Sequence, residues 1–179
     1  MKTKWFYFII AAIALAADQL TKAWATVSLQ SRGSLEVVEG FFRLSYARNR
    51  GVAFSLFADS EFETKWVLAT ISAVAAVAVI YYLGRTAVSS RRLNTALALL
   101  LAGITGNLID RVRLGEVVDF IEFHWADKFI WPTFNLADAS ICLGAALLAL
   151  ELIREERAAS VKAQTSAPAP EEGSVSSSE

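Results

Sequence analysis

The 179-residue chain has one cysteine, Cys142, and one histidine, His124. A single cysteine rules out an internal disulfide. One thiol and one imidazole leave too few of the usual ligands for a zinc centre. Neither sign of charge dominates: the formal net charge is −1, so no strong attraction to nucleic acid is expected. There is no G-x-S-x-G nucleophile elbow. No internal repeat is visible.

Apolar residues are what the chain has in excess. They make up 55% of it, above the roughly 45–50% usual for soluble domains, and mean hydropathy is +0.42. Four apolar stretches, about 5–24, 66–83, 93–109 and 134–153, approach the ~20 residues that a helix needs to cross the hydrocarbon core. Trp5, Phe6, Tyr7 and Trp24 flank the first, and Trp66, Tyr81 and Tyr82 flank the second. Such amphipathic rings favour the membrane interface. The first stretch also resembles a cleaved signal peptide, with Lys2 and Lys4 ahead of it and Ala14-x-Ala16 near its end. It is too long for that reading, and it ends in a patterned polar group.

With four spans, Lys2, Lys4, Arg85, Arg91, Arg92, Arg154, Arg157 and Lys162 fall on one side. The excess of positive charge there predicts that both termini are cytoplasmic. Two outer segments remain, about 26–65 and 112–133. In the first, Phe42, Leu44 and Tyr46 alternate with Arg43 and Ser45, which is strand periodicity. In the second, a strand would set Val117, Asp119, Ile121, Phe123 and Trp125 on one face. The expected architecture is an all-α membrane protein, 1–157, with four transmembrane helices and a small β-sheet cradle on the outer face. Residues 158–179 are rich in Ala, Ser, Pro and Glu and read as a disordered cytoplasmic tail.

Four acids lie in or beside the spans: Asp18, Asp110, Asp119 and Asp138. An Asp at mid-span costs about 2.5–3.5 kcal/mol on insertion scales. Asp18 and Lys22 are four apart on one helix face, with Thr21 beside them, and an ion pair with Lys22 reaching to the interface explains them. Gly103, Gly106, Asn107 and Asp110 form one stripe, as expected of close helix packing, and Asp110-Arg111 reads as a second ion pair. Asn135-Leu-Ala-Asp138 reads as a helix cap with a carboxylate at the third position. Asp119 is harder to explain structurally, because Val117 and Ile121 flank it on its own face. If its strand meets the start of the fourth span, Asp119 and Asp138 oppose each other. Two close carboxylates share one proton, and such a pair can activate water and protonate a carbonyl, as in an aspartic peptidase. A serine–lysine plan using Lys22 and Ser55 fits less well, because Asp18 accounts for Lys22.

In sequence, the motifs are Asp18-Gln19-Leu20-Thr21-Lys22, Asn49-x-Gly51-x-Ala53-Phe54-Ser55, Gly106-Asn107-x-x-Asp110-Arg111, Val117-Val118-Asp119-Phe120 and Phe134-Asn135-x-Ala137-Asp138. Together they resemble bacterial lipoprotein signal peptidase (signal peptidase II) over about 5–153. One departure is Ala102-Gly103-Ile104-Thr105-Gly106, where the family has two glycines and a small residue before Gly-Asn. The resemblance implies cleavage of diacylglyceryl-modified prolipoproteins on the amino side of the lipidated cysteine. It further implies Asp119 and Asp138 as the catalytic pair. Asn49, Gly51, Asn107, Arg111 and Asn135 would bind substrate or orient the dyad, and Asp18, Lys22 and Asp110 would support the site. It implies no metal or organic cofactor. It also implies contact with membrane lipids, sensitivity to globomycin-type inhibitors, and an active site near the outer surface of the bacterial inner membrane. Two other readings stand beside it: a small proton-linked transporter, and a scaffold in which every acid is structural.

Overall fold

In a computed structural model, residues 4–51, 61–126 and 128–165 are described. The helices are α1 (Trp5–Leu29), α2 (Glu61–Arg85), α3 (Arg91–Leu114) and α4 (Leu136–Thr165). The strands are β1 (Ser34–Val38) and β2 (Phe42–Asn49), between α1 and α2, and β3 (Val117–Trp125) and β4 (Phe129–Ile130), between α3 and α4. All four helices are long and apolar enough to cross a membrane. The four strands form one antiparallel sheet in the order β1-β2-β3-β4. The chain thus has the four spans and small sheet expected. Val52, Ala53, Phe54 and Ser55 lie outside the described residues. Of the 158–179 segment expected to be a disordered tail, 158–165 continue α4 as helix, and the residues beyond Thr165 lie outside the described residues.

Helix α3 is the centre of the bundle, packed against α1, α2 and α4. Half of its span is buried, 50% against 22%, 17% and 11% for the others. Small side chains allow this. Ala96, Ala98 and Ala102 are buried on α3. A Cβ on Gly103 would collide with the carbonyl oxygen of Ala137, and one on Gly144 would lie 2.9 Å from that of Ala96. Close backbone approach of this kind is how apolar helices pack where water supplies no driving force between them.

The sheet sits where α1 and α3 end and α2 and α4 begin. Gly115, at φ 86°, ends α3 in a left-handed cap, its N–H donating to Arg111 O at 3.1 Å. One further residue leads into β3, so Asp119 is tied closely to the end of the central helix. Phe134 then pairs with Ile121 in both directions, at 2.9 and 3.0 Å, which draws the start of α4 against β3. Phe120 fills the junction with Ala25 and Leu29, joined by Leu44, Tyr46 and Leu136. The first four residues of β3 are buried on both faces, whereas Phe123 and Trp125 are exposed.

Candidate active site

The acids meet where β3, α3, α4 and α1 converge. Asp119 comes from β3 and is 1% exposed. Its Oδ1 accepts from Asn135 Nδ2 at 2.6 Å, and its Oδ2 accepts from Asn49 Nδ2 at 3.0 Å. Asp138 lies in the first turn of α4. Its Oδ1 accepts from Asn107 Nδ2 at 2.7 Å, and its Oδ2 accepts from the backbone N–H of Asn135 at 3.2 Å. Asn135 Oδ1 in turn accepts the N–H of Asp138 at 2.9 Å, completing a reciprocal cap. Asn135 is therefore both the cap expected from its spacing and the residue that touches the two acids.

Asn49 has a second task. Its Oδ1 accepts the N–H of Gly51 at 2.9 Å, which fixes the amide so that its NH₂ faces Asp119. Gly51 is at φ +79°, and a Cβ there would strike the Leu68 side chain, so both conformation and space favour glycine.

Behind this pair lies a buried ionic cluster. The three donors of the Lys22 ammonium meet three acceptors: Asp110 Oδ2 at 2.8 Å, Asn107 Oδ1 at 2.9 Å and Asp18 Oδ2 at 3.0 Å. The Asp18–Lys22 pair was expected, but not its direction. Lys22 turns into the bundle and is only 3% exposed, because Asp110 and Asn107 of α3 offer it better partners than the interface. Asp110 accordingly pairs with Lys22 rather than with Arg111. Arg111 Nη1 instead donates to Asn107 O at 3.4 Å, and its charge acts on Asp138, Asp110 and Asp119. Thr21 bonds back to Ala17 O and Asp18 O and takes no part in the cluster.

Gln19 carries a role that sequence reasoning missed. Its Nε2 donates to Asp18 Oδ2 and Asp110 Oδ1, both at 3.1 Å. The only signal was a polar amide beside Asp18 in an apolar span. Two backbone donors complete the cluster: Ala137 N–H to Asp18 Oδ1 at 2.8 Å, and Val118 N–H to Asp110 Oδ2 at 3.3 Å.

These bonds fix the amide of Asn107. Its oxygen faces the donor-only ammonium of Lys22, so its NH₂ must face Asp138. Asp119 is tuned differently. Burial pushes its carboxyl up to about 6 from an ordinary 3.8, and the charge of Asp138 adds to the rise. The bonds from Asn49 and Asn135 and the charge of Lys22 oppose it without cancelling it. The site thus holds two acids bridged by one asparagine, one of them with its carboxyl raised to about 6.

Residues 10–154 match the family described as Signal peptidase (SPase) II. The chain belongs to that family. It is 42% identical over 152 residues to the lipoprotein signal peptidase of Geobacter metallireducens, covering 84% of this chain and 92% of the relative. It is 39% identical over 148 residues to the lipoprotein signal peptidase of Pseudomonas aeruginosa, covering 83% and 88%. A solved structure described as a bacterial membrane enzyme, determined by the in meso method at 1.9 Å resolution, superposes with a TM-score of 0.73 at 31% identity, covering 82% of this chain and 92% of that one. As a family member with four apolar helices, the chain is a peptidase and a multi-pass protein of the bacterial inner membrane.

Proposed function

We propose that this protein removes signal peptides from diacylglyceryl-modified prolipoproteins, as an aspartic endopeptidase whose dyad is Asp119 and Asp138. The single observation that carries the reading is Asn135, which donates a hydrogen bond to each acid and so holds a strand carboxyl and a helix carboxyl to one locus. Membership of the signal peptidase II family supports the reaction class. Nothing in the family or the site favours proton-linked transport.

In the proposed reaction Asp119 carries the shared proton and Asp138 is ionised. The elevated carboxyl of Asp119 supports the first assignment. The place of Asp138 in the first turn of α4, at the positive end of the helix, supports the second. Water attacks the scissile carbonyl carbon while Asp138 takes one of its protons. Asp119 protonates the carbonyl oxygen. The tetrahedral intermediate then collapses: the proton on Asp138 goes to the leaving amide nitrogen, and the hydroxyl proton returns to Asp119. The carbon–nitrogen bond on the amino side of the lipidated cysteine breaks. Titration belongs to the pair, with two apparent values.

Arg111, Asn49 and Gly51 are proposed to meet the substrate, whose extended backbone needs hydrogen-bond partners near the bilayer. Lys22, Asp18, Asp110 and Asn107 are proposed to hold the dyad in place. With both termini cytoplasmic, the acids lie at the outer leaflet, where the diacylglyceryl chains can stay in hydrocarbon during cleavage. The same site is proposed to take globomycin-type inhibitors. The test is cleavage of one prolipoprotein by the reconstituted enzyme, with and without the diacylglyceryl group on its cysteine. Cleavage of the lipidated form alone is expected. Equal cleavage of both forms, or of neither, contradicts the proposal.

A further inference from the structure

The tryptophans are unevenly placed. The chain has five, and only Trp5 lies at the end of the bundle opposite the sheet. Trp24 approaches the end of α1, Trp66 follows the start of α2, and Trp125 and Trp131 flank the β3–β4 turn. Around that turn the surface is strongly apolar: Trp125 is 69% exposed, Phe129 60% and Trp131 56%, with Ile130 and Phe41 also exposed. An apolar surface of this breadth is unusual against water.

The rings line an open basin of about 380 Å³, bordered by Phe41, Phe123, Trp125, Phe129, Trp131 and Phe134. This falls in the range of ligand sites, about 300–1,000 Å³. His124 also borders it, but its imidazole Nε2 is engaged by Glu36 Oε1 at 2.9 Å. The walls otherwise present aromatic carbon.

We propose that this basin seats acyl chains of phospholipid from the leaflet that α4 enters, and that the β3–β4 turn is thereby a membrane-interface anchor for the sheet. Continuity with the membrane-spanning bundle identifies the occupant. Trp131 stands five residues before Leu136, the first residue of α4, so the two are at most about 18 Å apart. The pairing of Phe134 with Ile121 holds the turn there. The basin is therefore within reach of the end of α4 that enters the bilayer, and Trp rings prefer to sit at that interface with one end in hydrocarbon. A peptide occupant fits poorly. Strand β4 has only two residues, which leaves little edge there for an added strand. Asp119 shares β3 with Trp125, so a seated turn sets the depth of Asp119 relative to Asp138 on α4. This consequence rests on the proposed dyad, whereas the lipid seat itself does not.

The test uses full-length protein in phosphatidylcholine–phosphatidylglycerol nanodiscs, with Trp131 kept and Trp5, Trp24, Trp66 and Trp125 changed to Phe. Without substrate, Trp131 emission is expected to lose most of its intensity when the lipids carry bromine at an upper acyl position, and little when acrylamide is added to the water. Strong acrylamide quenching with no effect of bromolipid overturns the proposal. So does a basin shielded from acrylamide only after a prolipoprotein is added, which would make it a peptide site. If the tryptophan-depleted protein does not fold, a nitroxide on Ile130→Cys, in a Cys142→Ala background, gives the same decision. Greater accessibility to oxygen than to a water-soluble nickel complex supports the seat, and the reverse overturns it. Prolipoprotein cleavage by the same Trp131-only protein, set beside wild type, separates the failures: intact cleavage with an aqueous Trp131 rejects the lipid seat alone.

Discussion

Asp18 Oδ1 accepts the backbone N–H of Ala137 at 2.8 Å across 119 residues of chain. Ala137 immediately precedes Asp138. On the other side, Asp110 Oδ2 accepts the N–H of Val118 at 3.3 Å, and Val118 immediately precedes Asp119. Lys22 sits between the two accepting carboxylates. One buried ammonium thus reaches, through two carboxylates, the backbone next to each acid of the proposed dyad. Three donors converge on each supporting carboxylate, which makes a charged cluster tolerable inside the bundle.

Lys22→Met leaves Asp18 and Asp110 buried without their cation. Breaking such a group from one side typically costs about 3–5 kcal/mol. A large fall in the thermal midpoint in detergent is expected, together with lost cleavage. Lys22→Arg is expected to recover only part of the stability, because a planar guanidinium does not reproduce the three-way contact of an ammonium.

Gly106→Ala places a Cβ 2.5 Å from Asp18 Oδ2 and 3.3 Å from the Ala137 Cβ. Overpacking of this kind costs about 1–3 kcal/mol, and here it displaces the carboxylate that holds Ala137. Gly144→Ala meets Ala96 O and Leu100 at 2.9 Å, away from the acids. Both variants are expected to melt earlier. Only Gly106→Ala is expected to lower kcat/KM of the folded fraction, a comparison made by assaying both below their midpoints.

Asp119 titrates near 6, above the roughly 3.9 of an unfolded chain. A raised acid favours the fold while protonated. Its contribution is therefore complete below about 4 and is lost as pH rises through about 6. Isotope-edited infrared spectroscopy of the carboxyl can follow the titration. Asn49→Ala removes a bond that lowers the value, so the midpoint is expected to rise. Asp138→Asn removes a charge that raises it, so the midpoint is expected to fall.

Asn135 combines two roles that one substitution can separate. Serine is a good N-cap but is too short to reproduce the 2.6 Å bond to Asp119. Asn135→Ser is expected to keep most of the stability while kcat falls. Asn135→Ala is expected to lose about 1 kcal/mol in addition. Thermal melts and steady-state cleavage, measured side by side, check both.

Much of this was legible in the sequence for identifiable reasons. The spans show as apolar runs of membrane length, β2 shows as alternation from Phe42 to Tyr46, and the Asn135–Asp138 cap shows as spacing. Lys22 shows why the rest was hidden. On one helix its partner at i−4 explains it fully, and only the packing of α3 brings Asp110 and Asn107 to it. Gln19 was hidden for the same reason. Ala137 and Val118 act through backbone N–H groups, which leave no mark in side-chain chemistry. Asn135 had a sufficient structural explanation as a cap, so nothing local announced that its amide also reaches Asp119.

The central claim is that Asp119 and Asp138 together carry out hydrolysis. The direct test is cleavage of a diacylglyceryl-modified prolipoprotein by purified Asp119→Asn and Asp138→Asn, each shown to be folded by its elution profile and thermal melt. Each substitution keeps the shape of the site and removes the proton transfer, so each is predicted to reduce turnover by about 10²–10⁴-fold or more. Turnover close to wild type by either folded variant would contradict the account.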